Sequence, residues 1–323
     1  LVETDELLGE EALSEKPYPK IEQDMRVAKT SDPEKIIGYL TNSNNIQQIK
    51  SALISGIQDY FQKLGFKKAI LGSSGGIDSA VVLSLAVEAL GAENVTAVLM
   101  PSPFSSEHSV EDAKLLSERL GNPYHILGIG DVYNSFLSTL DPLFKDTSFG
   151  VAEENIQSRS RGNLLMAIAN KFGYVLLNTS NKSELATGYG TLYGDMAGGL
   201  SVIGDLYKTQ VYALARLINE GKEIIPLRIL EKAPSAELRP NQKDSDSLPE
   251  YDVLDKILYF YIERRKGPAE IIAMGFDETL VKKTVRLVNL NEYKRNQFCP
   301  IIRVSTKAFG VGRRLPIVAK YLS

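Results

Sequence analysis

The chain has 323 residues, 43% of them hydrophobic, enough to bury one large core or two smaller ones. A net charge of −3 argues against a general binder of nucleic acid, the 1 cysteine excludes an internal disulfide, and the 2 histidines, His108 and His125, are too few for a histidine-built metal site. No apolar run reaches bilayer-spanning length, since even 80–90 is broken by Glu88, and no charged-then-apolar leader opens the chain, so a cytoplasmic protein without a membrane partner is expected.

The chain begins Leu1-Val2-Glu3, without methionine, and its first 36 residues are charged and proline-bearing with no sustained apolar period. Residues 1–45 therefore read as a linker or extended segment, residues 46–323 as the folded domain, and the whole as the C-terminal part of a longer polypeptide. Ile46, Ile49, Leu53, Ile57 and Phe61 recur at helical spacing before Gly65, which predicts an amphipathic helix. Strands are then predicted at 69–71, 95–100, 124–127 and 174–177. Helices are predicted at 79–90, stopped by Gly91; at 110–120, capped by Ser109 with Asp112 at its third position; and at 155–172. Val211, Leu214, Leu217 and Ile218 mark a further helix ending near Gly221, and two more are expected around 254–262 and 280–288. The polar, proline-rich stretch 233–249 between them is either a solvated connector or a lid. Cys299, between Phe298 and Pro300, lacks any metal-ligand spacing and reads as structural.

Alternating short strands and helices predict an α/β fold: a doubly wound parallel sheet with helices on both faces, followed by C-terminal helices. Ligands of such sheets bind beyond the carboxyl ends of the strands, where the strand order reverses. There the chain places "AILGSSGGIDSAVVLSLAVEAL", residues 69–90. A Gly/Ser turn that opens straight into a helix leaves N–H groups unpaired and suits phosphate, yet Gly76-Ile77-Asp78-Ser79 carries a carboxylate where the common nucleotide-binding loop has lysine. Read alone, the stretch leaves two alternatives open: a turn that only turns, and an Asp78 that stabilises the helix dipole. A second stretch, "NTSNKSELATGYGTLYGDMAGG" (178–199), starts at the end of the fourth predicted strand and so puts Thr179 and Glu184 at the same sheet edge as Asp78. Two carboxylates facing phosphate call for a cation between them, and magnesium, hard and oxygen-liganded, fits.

"SGGIDS" resembles the phosphate-binding signature of the N-type ATP pyrophosphatases, on the adenine nucleotide alpha hydrolase-like fold. The 178–199 stretch resembles the NAD synthetases, particularly the synthetase domain of the glutamine-dependent type, and "EYKRNQFCPIIRVSTKAFGVGRRLPI" (292–317) resembles the tail of that type. The similarity runs from about Lys50 to the end. It implies a ligase that adenylylates deamido-NAD with ATP, releases pyrophosphate, and lets ammonia displace AMP to give NAD. By this resemblance Gly72, Ser73, Ser74, Gly75, Gly76, Ile77, Asp78 and Ser79 would cradle the ATP phosphates; Thr179, Lys208 and Ser235 would contact ATP; and Asp78 and Glu184 would ligate Mg2+. Asn155, Arg159, Lys294 and again Glu184 would touch the dinucleotide, while Asp78, Lys208 and Glu184 would carry the catalysis. The residue types suit these roles, since arginine forks onto phosphate and lysine offers a point charge to phosphorus in transit.

Leu192, Gly199 and Tyr293 stand where ammonia-dependent relatives carry lysine, aspartate and histidine. These departures favour the glutamine-dependent branch, so Leu192 and Gly199 receive no polar role. The branch implies an upstream nitrilase-like glutaminase domain, absent between Leu1 and Ser323, and a homodimer or larger homo-oligomer. Other readings stay open: another amidating or thiolating ATP pyrophosphatase, or a non-catalytic nucleotide-binding protein of the same fold. Taken singly, Lys294 and Arg295 also fit a solvated helix face, Arg159 and Arg161 fit ion pairs with Glu153 or Glu154, and Tyr189 and Tyr193 fit core positions.

Overall fold

A computed structural model describes residues 32–235, 237–239, 244 and 248–318. After a 3-10 turn at Pro33–Lys35 come α1 (Ile36–Leu40), α2 (Ser43–Leu64), β1 (Ala69–Gly72), α3 (Ile77–Leu90), β2 (Val95–Leu99), α4 (Glu107–Leu120), β3 (Tyr124–Ile126), α5 (Gly130–Phe144) and α6 (Val151–Phe172). Then follow β4 (Val175–Asn178), α7 (Lys182–Thr187), β5 (Leu200–Ser201), α8 (Lys208–Ile218), α9 (Leu227–Glu231), α10 (Tyr251–Leu258), a π-helical turn at Tyr259–Glu263, α11 (Pro268–Ala273), α12 (Glu278–Leu290) and α13 (Glu292–Arg295).

The five strands form one parallel sheet in the order β3-β2-β1-β4-β5. The chain runs outward from β1 through β2 to β3 and then returns to place β4 on the other side of β1, so the order reverses between β1 and β4. This is the crevice that a doubly wound sheet offers to a ligand. Strand alternation assigns the layers: Ala69, Leu71, Ala97, Leu99, Val175 and Leu177 join the core under α2, α3 and α8, while Ile70, Val98 and Leu176 join the one under α6. The apolar stripe of α2, from Ile46 to Phe61, is buried as its spacing predicts. At about 1.5–3 kcal/mol for each large apolar side chain removed from water, that face outweighs anything helix propensity contributes. A third core joins α1, α7, α10 and α12 around Leu254, Leu258, Phe260 and Val281.

The α/β, doubly wound fold agrees with the sequence, and three local readings are corrected. Helix α4 begins at Glu107 and is capped by Ser106, whose Oγ accepts from Ser109 N–H; its polar first turn carries no apolar period, which hid the start. Asp112 accepts instead from Arg228 Nε at 2.9 Å. Within the expected N-terminal linker, Ile36 and Leu40 are buried in the third core; residues 1–31 of that segment lie outside the described residues. Helix α5 and the two-residue β5 carry no sequence expectation. No helix among the described residues is long and apolar enough to cross a membrane.

Candidate active site

The turn between β1 and α3 is closed by its own hydroxyls. Ser79 Oγ donates to the Gly76 carbonyl at 3.0 Å, accepts from Ser74 N–H at 3.2 Å and lies 3.1 Å from Ser74 Oγ. Gly75 adopts φ +75°, and a Cβ there would stand 2.2 Å from Ser109 O, so both conformation and space demand glycine. The buried Ser73 Oγ finds no hydrogen-bond partner among the described residues, although it borders the cavity described below. Buried hydroxyls are normally paired, so Ser73 Oγ is a spare hydrogen-bonding group on the cavity wall.

Asp78 stands in the first turn of α3 and Glu184 in the first turn of α7, at the ends of the two strands between which the sheet order reverses. Lys208, the first residue of α8, bridges them, its Nζ 2.5 Å from Asp78 Oδ2 and 3.3 Å from Glu184 Oε1. Asn181, the cap of α7, ties the group together: its Oδ1 accepts from Glu184 N–H at 3.0 Å, its own N–H donates to Glu184 Oε2 at 3.3 Å, and its Nδ2 donates to Asp78 Oδ1 at 2.9 Å. Burial pushes the Glu184 carboxyl up, to about 8, with the Asp78 charge adding and Lys208 opposing. For Lys208 burial works against the charge, yet Asp78 and Glu184 together hold its pKa above the ordinary lysine range.

The cluster opens onto a cavity of about 280 Å³, bordered by every residue of 72–79 except Gly75 and by Thr179, Glu184, Lys208 and Ser235. Five charged bordering residues carry no sequence expectation as site groups: Arg161, Asp195, Lys232, Glu237 and Asp244. Arg161 is held by the Met100 carbonyl, Asp195 accepts from Thr191 N–H, and Lys232 lies 2.5 Å from both Ser109 Oγ and Glu237 Oε1, the last itself on the wall. Asn181 was also legible, because Asn181-Lys182-Ser183-Glu184 has the spacing of a capping box before an apolar run.

Asn155, Arg159 and Lys294 do not border this cavity; all three grip the segment 188–192. Asn155 Oδ1 accepts from Thr191 Oγ1 at 2.7 Å, Arg159 Nε donates to the Leu192 carbonyl at 3.2 Å, and Lys294 Nζ donates to the Gly188 and Gly190 carbonyls at 2.7 Å each. The alternative of a solvated face for Lys294 and Arg295 falls, since Arg295 is buried against Glu292 and the Leu185 and Ala186 carbonyls. The alternative pairing of Arg159 or Arg161 with Glu153 or Glu154 falls too: Glu153 accepts from Gly150 N–H and Glu154 faces Arg239. Tyr189 packs against the third core and also borders the cavity. Tyr193, by contrast, is 67% exposed, at φ +64°, with its hydroxyl on Gln297. Gly199 packs beside Val175, and its carbonyl accepts from the Tyr60 hydroxyl at 3.0 Å.

The family model of NAD synthase matches residues 49–298, a span that holds both carboxylates, Lys208 and the Gly/Ser turn. The chain belongs to the NAD synthase family. It is 54% identical over 275 residues to the glutamine-dependent NAD(+) synthetase of Synechocystis sp. and 50% identical over 277 to that of Thermotoga maritima, covering 85% of this chain and 49% and 48% of those proteins. The solved glutamine-dependent NAD+ synthetase of Acinetobacter baumannii in complex with ADP superposes with a TM-score of 0.58 at 47% identity, over 84% of this chain and 50% of that one. The chain therefore spans about half the length of the curated relatives it matches.

For a divalent cation, the NAD synthase site offers two carboxylates, Asp78 and Glu184. No group of three or more His, Cys, Asp or Glu able to hold a metal exists among the described residues. That donor set fits magnesium, which is held by one or two carboxylates and completes its shell with phosphate oxygens and water.

Proposed function

We propose that this domain amidates deamido-NAD (nicotinic acid adenine dinucleotide) to NAD at the expense of ATP, which leaves as AMP and pyrophosphate. The observation that carries the reading is the convergence of the Gly/Ser turn, Asp78, Glu184 and Lys208 on one cavity at the sheet's reversal point. A nicotinate carboxylate oxygen attacks the α-phosphorus of ATP and the bond to pyrophosphate breaks. Ammonia then adds to the acyl carbon, loses a proton, and expels AMP to leave the carboxamide.

No side chain needs to act as nucleophile. The turn at 73–79 holds phosphate on the helix N-terminus and backbone N–H groups, with Thr179 and Ser235 as further ATP contacts, and Lys208 sets its charge against the reacting phosphoryl group. Asp78 and Glu184 would hold Mg2+, which when bound supplies charge neutralisation to the phosphates. Asn155, Arg159, Glu184 and Lys294 are assigned to the dinucleotide, the three outside the cavity shaping the 188–192 segment that faces it. Positioning two anionic substrates in line accounts for much of the rate such a site needs.

In this reading the nitrogen is free ammonia, supplied in the full-length protein by an upstream glutaminase domain of the nitrilase type. The folded unit that begins with α1 forms the synthetase unit, which works as a homodimer or larger homo-oligomer in the cytoplasm. Incubating the chain with deamido-NAD, ATP and magnesium, and following NAD and AMP with ammonium against glutamine, tests it. NAD from ammonium alone is expected. AMP release only with a different carboxylate would assign the chain to another ATP pyrophosphatase, and nucleotide binding with no AMP from any acid would make it a non-catalytic binder.

A further inference from the structure

Behind the carboxylate pair lies a second lysine that does not border the cavity described above. Lys182, first residue of α7, has a fully buried side chain whose Nζ meets three acceptors: Asp205 Oδ1 at 3.0 Å, Glu263 Oε1 at 2.9 Å and Ser305 Oγ at 2.8 Å. It also lies 4.7 Å from the centre of the Tyr207 ring. The acceptors are themselves held. Asp205 takes the N–H groups of Val304 and Ser305 and the Ser305 hydroxyl, and Glu263 takes Thr306 Oγ1. Glu263 closes the π-helical turn at Tyr259–Glu263, a geometry that tends to accompany functional constraint.

Burying a lysine with two carboxylates is poor value as stabilisation, because apolar residues of similar volume often serve as well or better. What such a node does provide is a fixed place. Lys182 N–H donates to the Leu206 carbonyl at 2.8 Å, and the next residue, Ser183, takes Lys208 N–H at 3.0 Å and gives its hydroxyl to Asp255. Lys182 is thus pinned at its backbone and at its ammonium, one residue from Asn181 and two from Glu184.

We propose that Lys182 is a positioning residue: through Asp205, Glu263 and Ser305 it locks the first turn of α7, so that Asn181 and Glu184 meet Asp78 and Lys208 in the arrangement the reaction uses. The proposal rests on the synthetase reading above for its kinetic arm only. The C-terminal strap at 304–306 thereby becomes part of the machinery that sets the site, although it borders no part of the cavity.

The test compares Lys182→Met, Lys182→Arg and Ser305→Ala with the wild-type chain. Lys182→Met is expected to lower kcat on the order of 100-fold, the scale of an ångström-sized misplacement, with partial recovery in Lys182→Arg. Ser305→Ala, which keeps every charge, is expected to show a smaller loss of the same kind. A merely structural role would lower the melting temperature and the active fraction while leaving kcat per active site at the wild-type value, and that result overturns the proposal. If Lys182→Met does not fold, Lys182→Met/Asp205→Asn/Glu263→Gln, which strands no charge, is measured in its place.

A second readout needs no turnover: Mn2+ affinity of the ATP-bound protein, by electron paramagnetic resonance, should weaken at least tenfold in Lys182→Met. Unchanged Mn2+ affinity overturns the proposal even if the wild-type chain makes no NAD, and that last outcome alone would count only against the synthetase reading.

Discussion

Asn181 Nδ2 donates to Asp78 Oδ1 at 2.9 Å across 103 positions of sequence, joining the first turns of α7 and α3. The same side chain caps α7, so one residue serves two purposes that mutation can separate. Asn181→Ala removes both and should cost about 1 kcal/mol of stability, the usual price of a lost cap, together with most of the turnover. Asn181→Asp restores the cap acceptor but not the donor, and it sets a third carboxylate beside Asp78 and Glu184. It should melt below the wild type, because the added carboxylate is buried against two others, and still turn over poorly; wild-type turnover would show that the tether to Asp78 is dispensable.

Lys208 occupies the space between two carboxylates that would otherwise attract a divalent cation. Wild-type protein without nucleotide should therefore bind Mn2+ weakly. Lys208→Met leaves Asp78 and Glu184 uncompensated, and removing one partner of a buried pair costs about 3–5 kcal/mol. The expected result is a lower melting temperature, loss of NAD formation, and tighter Mn2+ binding without ATP, with Mn2+ partly restoring the melting temperature. Equal Mn2+ affinity in the two proteins would mean that the carboxylates do not form a cation site.

At Gly75 the backbone sits at φ +75° and a Cβ would enter the Ser109 carbonyl at 2.2 Å. Gly75→Ala cannot be absorbed by moving a flexible side chain, because the obstacle is backbone. ATP affinity, measured by calorimetry, should fall at least tenfold as the turn opens, whereas Gly121→Ala, also at positive φ but facing open space, should leave it unchanged.

The sheet and its reversal point were legible because the short, continuous apolar runs of β1, β2 and β4 between helices, and the α2 stripe, are signals of burial, and burial dominates the energetics. Asp78, Glu184 and Thr179 could be brought to one edge from the strand ends alone. Lys232, Arg161 and Glu237 could not, since their approach to the cavity depends on how α4, α6 and the chain after α9 pack, which no local spacing encodes. The same limit explains Lys294: its position in "EYKRNQ" signals importance, but that it spans the Gly188 and Gly190 carbonyls is a tertiary fact.

Lys294→Met follows from that placement. It removes the ammonium that holds the Gly188 and Gly190 carbonyls and itself borders no part of the cavity, though Tyr189 between them does. KM for deamido-NAD should rise about tenfold or more with KM for ATP little changed, by steady-state kinetics at saturating ammonium. Equal effects on both would assign Lys294 to general packing of α13.

Asp255 carries the pH prediction. It is fully buried on α10, accepts from Ser183 Oγ at 2.5 Å and from Thr209 N–H at 2.9 Å, and burial pushes its carboxyl up to about 6 against those hydrogen bonds. The folded protein therefore holds this proton more tightly than the unfolded chain, whose aspartate titrates near 3.8. The stabilising contribution is complete below the unfolded value and is lost as pH rises from about 4 through about 6, by an amount on the order of 3 kcal/mol. Most paired carboxylates act in the opposite sense, so the effect must be read as a difference. Between pH 4 and 6 the stability of Asp255→Asn should gain on that of the wild type, measured by urea denaturation at each pH. A constant gap across that range would mean that the Ser183 and Thr209 hydrogen bonds, rather than burial, set the ionisation of Asp255.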